Sequence, residues 1–179
     1  MRIRSRWHGD DRYIGLHYDL HGNRDDTELG TRARPEELVP MLEVMAPDFV
    51  QTDCKGHPGY VSWFSETPDA SVPPELREDA LAQWREATRW LGLPLHCHYS
   101  GLWDGAAGEK HPEWAVKSAD GESAGAPFGP DGGSKADHIM CPRGAYVDEL
   151  LIPQFAELID RYQVDGFWVD GEIWAAKPC

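Results

Sequence analysis

The sequence predicts an α/β fold of the (β/α)8 TIM-barrel type, with about the first four β-strands and three helices present. Short apolar runs alternate with amphipathic segments, as in a parallel sheet with crossover helices. The links from helix to strand are short ("APD", "GLP" and "QVD"), whereas the segments that follow strands are long. Long loops at the carboxyl ends of strands are typical of the active-site face of a barrel. A doubly wound sheet would share this layout, but no GxGxxG or phosphate loop follows a strand.

The individual elements follow from periodicity. Apolar runs predict strands over 13–21, 48–54, 93–100 and 164–171. Apolar residues at helical spacing predict helices over 35–46, 75–91 and 146–162. Pro40 and Pro153 fall inside two of these helices, so we expect a kink or a delayed helix start there. The segment 101–143 is rich in Gly, Ala and Pro, and we predict a long loop between the third strand and the third helix.

Composition limits the partners. The 179 residues are 41% hydrophobic and 27% charged, enough for one domain with a core. A mean hydropathy of −0.56 and the lack of a long apolar run argue against a membrane span. The net charge of −14 argues against nucleic acid and anionic membranes. No apolar segment of a secretory signal follows the basic N-terminus, so we expect a cytoplasmic protein. We predict no cofactor.

Strand phase selects candidate site residues. In the first strand His17, Asp19 and His21 share one face, and in the last strand Trp168, Asp170 and Glu172 do so. Polar residues on the axial face near the mouth of a barrel bind ligands or catalyse. A carboxylate there can attack an anomeric carbon or stabilise an oxocarbenium ion. Alternatively, the last-strand aspartate has a structural role, in which it caps the following turn or pairs with Lys55. Asp19 likewise has either a functional or a structural role.

Histidines and tryptophans widen the choice. His96 and His98 are two apart in one strand and could chelate a metal, with His17 and His57 joining them. Hydrogen bonding to sugar hydroxyls, or burial in the core, is the alternative. The chain has eight tryptophans. Flat side chains outside the core can serve as platforms for sugar rings, and core packing is again the alternative.

Four segments resemble a known family in order along the chain. "TDCKGHPGYVSWFS" (52–65) is similar to the second-strand motif of the α-L-fucosidase family of glycoside hydrolases. "HCHYSGLWD" (96–104) resembles its Tyr-Tyr-Ser segment, and "YVDELLIPQFAELIDRYQVDGFWVDG" (146–171) its helix leading into a Trp-Phe-Asp-Gly strand. "HPEW" (111–114) and "MCPRGAYVDELL" (140–151) resemble a related group of hypothetical glycosyl hydrolases.

The resemblance implies roles for individual residues. Asp170 matches the family's catalytic nucleophile, and His57 matches a histidine that binds sugar hydroxyls. Asp19 stands where the family has a sugar-binding histidine, and Gly56 and Pro58 also depart from the family pattern, which puts fucose itself in question. The other residues that we expect to line the substrate pocket are His17, His98, Tyr99, Trp63, Trp103, Trp114, Trp168 and Glu172.

The same resemblance implies that the whole chain, 1–179, is the N-terminal part of a catalytic barrel. A retaining mechanism needs a second carboxylic acid, which in the family lies beyond the fourth strand. We therefore expect a fragment that lacks hydrolase activity alone, with Glu172 as an internal candidate for the acid. Exposed barrel edges would favour self-association.

Three functions are compatible with these observations. The first is a glycoside hydrolase that acts on a carbohydrate substrate through Asp170. The second is a metal-dependent hydrolase with zinc held by His96, His98, Asp19 and Asp170. The third is a non-catalytic carbohydrate-binding module that uses the tryptophans.

Overall fold

The computed structural model describes residues 14–19, 21–117, 121 and 138–170. Four strands form one sheet in the order β1 (Gly15–Tyr18), β2 (Phe49–Lys55), β3 (Leu95–Ser100) and β4 (Gly166–Asp170). All three neighbouring pairs are parallel. The predicted α/β fold with a parallel sheet is therefore confirmed, and the closed eight-stranded barrel stays a prediction.

Helices connect these strands. They are α1 (Pro35–Met45), α2 (Ala80–Leu91), α3 (Gly105–Lys110) and α4 (Ile152–Tyr162). The second helix begins later than the predicted residue 75, because the Asp79 carboxylate accepts a hydrogen bond of 2.8 Å from the Ala82 amide and fixes the N-terminus there. The short α3 lies inside the segment 101–143, and Asp104 caps it in the same way.

The two prolines behave differently. Helix α1 continues through Pro40. Before Pro153, the chain forms a π-helical turn over Val147–Leu151, and the regular α4 begins only at Ile152. Because proline has no amide hydrogen and its ring crowds the preceding turn, it fits best in the first turn of a helix. Helical conformation already begins at residues 145–146, close to the predicted residue 146, so the chain accommodates Pro153 by a π-helical turn inside the helix and not by a delayed start.

Each helix-to-strand link is three residues long: 46–48, 92–94 and 163–165. Each begins with a residue in the left-handed region, namely Ala46 (φ 46°), Gly92 (φ 66°) and Gln163 (φ 53°). This conformation ends the helix, and the amide of the left-handed residue donates back to the last turn, to the carbonyls of Leu42, Arg89 and Ile159 respectively. The short links read from the sequence are therefore confirmed.

The main core lies between the sheet and helices α1, α2 and α4. Its fully buried members include Leu42, Val50, Leu81, Leu95 and Leu158. A second cluster packs around the segment that follows β3, and Trp114, Met140, Tyr146 and Leu150 belong to it. The side chains of the other sheet face are thus left to form a site.

Strands β1 and β4 lie at the two ends of the described sheet. The self-association predicted from such edges stays a prediction. Among the described residues, no helix has the length and apolar character needed to cross a membrane.

One carboxylate attaches a loop to α4. Glu157, 7% exposed, accepts hydrogen bonds from the Trp63 indole, the Glu66 amide and the hydroxyls of Ser65 and Thr67. Burial raises the pKa of this carboxyl, but the donated hydrogen bonds lower it by more, and the net shift is downward. The ionised form is therefore the one that stabilises the fold.

We predict that Glu157→Gln lowers the free energy of unfolding by about 1–3 kcal/mol at neutral pH, because a neutral amide replaces a charged acceptor. A carboxyl with a lowered folded pKa stabilises above its unfolded pKa, and this contribution is lost as pH falls through the folded value. The difference from wild type should therefore shrink below the ordinary value of 4.5. Urea titrations at neutral and acidic pH measure it.

The matched control is Asp160→Asn, which removes an exposed carboxylate from the same helix. It should change stability by less than about 0.5 kcal/mol. Equal destabilisation by the two variants would contradict the assigned role of Glu157.

Candidate functional site

Strand register brings polar side chains into one row. Asp53 on β2 pairs in register with His98 on β3, which pairs with Trp168 on β4. Because alternate residues of a strand face the same side, Asp170 joins the row one step along β4. A cleft of about 440 Å³ lies over this row. Its polar and aromatic lining includes His17, Asp19, His21, Gln51, His98, Trp168 and Asp170.

His98 is held between two carboxylates. Its Nδ1 lies 3.0 Å from Asp53 Oδ1, and its Nε2 lies 3.1 Å from Asp170 Oδ2. Burial lowers the pKa of this imidazole, but the two aspartates raise it by more, so the net pKa lies above the ordinary value. The contacts with Asp53 and Asp170 fix the orientation of the imidazole and, through it, that of the Asp170 carboxylate.

His57 approaches Asp170 from the loop after β2. Its Nε2 lies 4.0 Å from Asp170 Oδ2, and its Nδ1 lies 2.7 Å from the Ser100 hydroxyl. That hydroxyl donates to the Trp103 carbonyl at 2.7 Å, so it accepts from His57 Nδ1. The Trp103 ring lies edge-on to His57 with centroids 4.6 Å apart. Ser100 at the end of β3 and Trp103 just after it thus hold this imidazole beside Asp170.

Strand β1 and the residues that follow it add a second group of polar atoms. His21 Nε2 lies 3.0 Å from Asp19 Oδ1 and 3.6 Å from Asp53 Oδ2. On the same strand, His17 Nδ1 lies 2.8 Å from the Gln51 amide nitrogen. Two carboxylates and two imidazoles, those of Asp53, Asp19, His21 and His98, thus offer donor atoms close enough to share one cation.

A buried ion pair supports the floor of the site. Lys55 Nζ lies 2.7 Å from Asp104 Oδ2, and both side chains are almost fully buried. The ammonium also donates to the Tyr146 hydroxyl at 2.8 Å and to the Ser100 carbonyl at 3.1 Å. Burial, and secondly the Asp104 charge, keep the pKa of the Tyr146 phenol well above its ordinary value. The tyrosine is therefore neutral and can donate to the carboxylate.

Most of the predicted site residues meet here. Asp170 and His98 are in direct contact, and His57 is the next neighbour. Asp19, His17 and Trp168 line the same cleft. Trp103 reaches it only indirectly, through the ring of His57. Glu172 lies outside the described residues.

Three predicted substrate contacts lie elsewhere. Tyr99 points to the opposite face of β3, where it is fully buried against Phe155. Trp63 is fully buried and donates to Glu157, and Trp114 packs in the second core cluster. Strand alternation sends Tyr99 away from His98, and the two indoles fill space between helices and loops. Their positions do not fit the predicted contact with sugar.

Two other expectations need correction. His96 stacks on Phe49 with ring centroids 4.9 Å apart, so the four-donor group excludes it. Lys55, considered as a partner of Asp170, forms its ion pair with Asp104. A register shift between Asp53 and Lys55 accompanies this change of direction, because the chain departs from strict alternation there.

Sequence reasoning missed Asp53, the almost fully buried carboxylate that contacts His98, and did not place His21 among the residues of the substrate pocket. The signal was present. In "DFVQTDC", Gln51 and Asp53 alternate with Val50, Thr52 and Cys54, which is the pattern of a strand with one polar face. The same alternation that selected Asp19 and Asp170 therefore also selects Asp53.

A larger cavity, of about 600 Å³, lies between α1, α2 and the loop at 28–33. Its lining includes Leu29, Met41 and Trp84. Asp53 lines this larger cavity, whereas His17, His21, His98 and Asp170 line the smaller cleft. Chemistry therefore favours the smaller cleft as the functional site.

The sheet and the cleft define an α/β domain whose carboxylates and imidazoles gather at the carboxyl ends of parallel strands. The family model of alpha-L-fucosidase matches residues 32–178. The chain therefore belongs to the alpha-L-fucosidase family. No curated protein matches the chain significantly.

Solved structures share the fold. Alpha-L-fucosidase isoenzyme 2 from Paenibacillus thiaminolyticus superposes with a TM-score of 0.74 at 23% identity, over 89% of this chain and 23% of that one. Thermotoga maritima alpha-fucosidase in complex with fucose superposes with a TM-score of 0.53 at 22% identity, over 78% of this chain and 29% of that one. A hypothetical protein from Ruminiclostridium thermocellum superposes with a TM-score of 0.61 at 17% identity, over 88% of this chain and 75% of that one. The chain thus spans less than a third of the length of these two fucosidases.

We predict that Lys55→Met destabilises the fold by about 3–5 kcal/mol, because it leaves the buried Asp104 carboxylate without its counter-charge. Asp104→Asn should cost a similar amount by stranding the ammonium. The double variant should lose less than the sum of the two, since it buries no charge. Chemical denaturation of the four proteins completes the cycle.

The control pair is Arg34–Glu78, an ion pair at the surface. Arg34→Met should cost no more than about 1 kcal/mol. Additive losses in the Lys55–Asp104 cycle would show that the two charges do not depend on each other.

Proposed function

We propose that the cleft binds an L-fucose-containing glycoside and that Asp170 is the carboxylate nucleophile of its hydrolysis. The observation that carries the proposal is the position of Asp170. It ends β4 inside the cleft, with Oδ2 3.1 Å from His98 Nε2, and it lies within the region matched by the alpha-L-fucosidase family. The fucose-bound state named for the Thermotoga relative supports the choice of sugar.

The surroundings of Asp170 suit a nucleophile. Its side chain is 33% exposed, so a substrate can reach the carboxylate. His98 Nε2 contacts Oδ2 of this carboxylate and orients it within the cleft. In the proposed step, a bond forms from the carboxylate oxygen to that carbon while the bond to the leaving oxygen breaks and a carboxylic acid protonates it. Water then hydrolyses the glycosyl ester and restores the carboxylate.

Neighbouring side chains supply binding contacts. Trp168 lies two residues before Asp170 on the same strand face, and it is 61% exposed. An exposed indole beside a polar cleft offers an apolar surface to the face of a sugar ring. His57, His17, Asp19 and His98 offer hydrogen bonds to hydroxyls from the other sides of the cleft.

A retaining reaction also needs a second carboxylic acid, about 5 Å from the nucleophile. His98 stands between Asp170 and Asp53, and the latter is almost fully buried. Asp53 is therefore poorly placed to protonate a leaving group in the cleft. We propose that the 179-residue chain binds sugar but does not turn it over, and that its sheet forms the first half of a (β/α)8 barrel.

A trapping reagent tests the nucleophile independently of the acid. In 2-deoxy-2-fluoro-L-fucosyl fluoride, the fluoride leaves without protonation and the 2-fluoro group slows hydrolysis of the ester. We predict that the purified chain acquires one fluorofucosyl group on the peptide that contains Asp170, and that Asp170→Asn acquires none. Peptide mass spectrometry reads the result. Asp160→Asn, an exposed aspartate of α4, should label like wild type.

Labelling of a different residue, or none in the folded protein, would refute Asp170 as the nucleophile. Turnover of a nitrophenyl fucoside by the 179-residue chain, abolished in Asp170→Asn, would instead refute the proposed need for a further acid. The two results are separable because only the second requires leaving-group protonation.

We predict that Trp168→Ala weakens binding of L-fucose about 5- to 150-fold, as expected for the loss of about 1–3 kcal/mol of stacking and apolar contact. Calorimetric titration measures it. Trp90→Ala removes another exposed indole, 58% exposed on α2, and should leave binding unchanged. Equal effects of the two substitutions would contradict a specific role of Trp168.

A further inference from the structure

We infer that the cleft contains a binding site for one divalent transition-metal ion, with zinc as the best fit. Asp19, His21, Asp53 and His98 each offer one donor atom, and these atoms all lie within 4.8 Å of one another. The site is shared between three strand ends, since Asp19 and His21 follow β1 and the others lie on β2 and β3. This inference goes beyond the proposed hydrolysis, which requires no cation.

The second observation is a buried oxygen with no hydrogen bond. Asp53 is 2% exposed, and its Oδ2 has no hydrogen-bond partner among the described residues. Its nearest recorded ionic contact is His21 Nε2, at 3.6 Å. A buried carboxylate oxygen without a donor is costly, and natural structures leave few of them unsatisfied. A cation between Asp53 and His21 would satisfy it.

The spacing of the donor atoms suits a small cation. Zinc binds nitrogen and oxygen at about 2.0–2.2 Å in a tetrahedron, which sets its ligand atoms about 3.4 Å apart. The His21 Nε2 distances of 3.0 Å to Asp19 Oδ1 and 3.6 Å to Asp53 Oδ2 lie on either side of that value. His98 Nδ1 lies 3.0 Å from the other oxygen of Asp53. Small side-chain movements would therefore complete the shell.

The chemistry of the donors selects the class of metal. Calcium and magnesium prefer shells made of oxygen, whereas two imidazoles with two carboxylates suit zinc and its neighbours in the first transition row. The second ring nitrogen of the ligand His98 also has a partner. His98 would bind through Nδ1, and its Nε2 faces Asp170. A carboxylate on the second nitrogen of a ligating imidazole is the usual means of orienting it.

The site differs from both sequence-level expectations. It goes beyond the sequence-based prediction of no cofactor, and it differs from the zinc set of His96, His98, Asp19 and Asp170 because Asp53 and His21 are ligands in it. His57 and Trp168 are not members of this ligand set, and they keep their proposed contacts with sugar. Asp19 and His98 would then act through the cation.

The test uses the full 179-residue chain, stripped with a chelator and titrated with zinc chloride by calorimetry and equilibrium dialysis. We expect one equivalent to bind. His21→Ala and Asp19→Asn should each weaken binding at least tenfold, and both replace exposed residues, so the fold should persist. His111→Ala is the matched control, because this histidine also lies beside two carboxylates, at 3.4 Å from Asp69 and 3.1 Å from Glu113. Its affinity should equal that of wild type.

Cobalt substitution identifies the ligands. Bound Co²⁺ should give visible bands of a nitrogen- and oxygen-ligated ion without thiolate charge transfer. Absence of saturable binding, binding that survives both His21→Ala and Asp19→Asn, loss of binding in His111→Ala, or a thiolate band would each overturn the inference. All of these readouts are independent of hydrolysis, so a failed trapping experiment on Asp170 leaves them unaffected.

Discussion

The buried pair of Lys55 and Asp104 is the interaction on which the site depends. Two charges removed from water are tolerated only when each is surrounded by partners, and here Tyr146 and the Ser100 carbonyl complete the shell of the ammonium. The space is tightly used. Gly59 has φ +89°, and a Cβ there would lie 2.1 Å from Asp104 Oδ1. A side chain at this position would therefore displace the carboxylate that neutralises Lys55.

The consequences of this pair reach the cleft through short covalent and hydrogen-bonded paths. Lys55 holds the Ser100 carbonyl, and the hydroxyl of the same serine holds His57. The next amide, that of Gly101, donates to the backbone carbonyl of Asp170 at 2.8 Å. Helix α3, capped by Asp104, receives the loop that contains His57, since the Gly105 amide donates to the His57 carbonyl at 3.1 Å. The charged pair thus positions both Asp170 and its neighbour.

The fold was largely predictable because periodicity reports which faces are buried. All four strands, three helices and the three short links follow from the spacing of apolar residues. Asp170 and Asp19 were found in the same way. Asp53 and the exclusion of Tyr99 from the cleft depend on strand alternation in β2 and β3, which the sequence also contains. The partner of Lys55 could not be predicted, because it depends on a register shift and on a helix 49 residues further along the chain.

The three-residue links with left-handed first residues separate two kinds of evolutionary freedom. At the amino edge of the sheet, an inserted or deleted residue would rotate or shift the next strand, and every side chain of the cleft would move with it. At the carboxyl edge, the chain between β3 and α4 is held to Lys55 at Asp104 and Tyr146, so a change of loop length is compatible with the site where it leaves these two contacts in place. New substrate preferences in this family can therefore arise by exchange of loops over an unchanged set of strand ends.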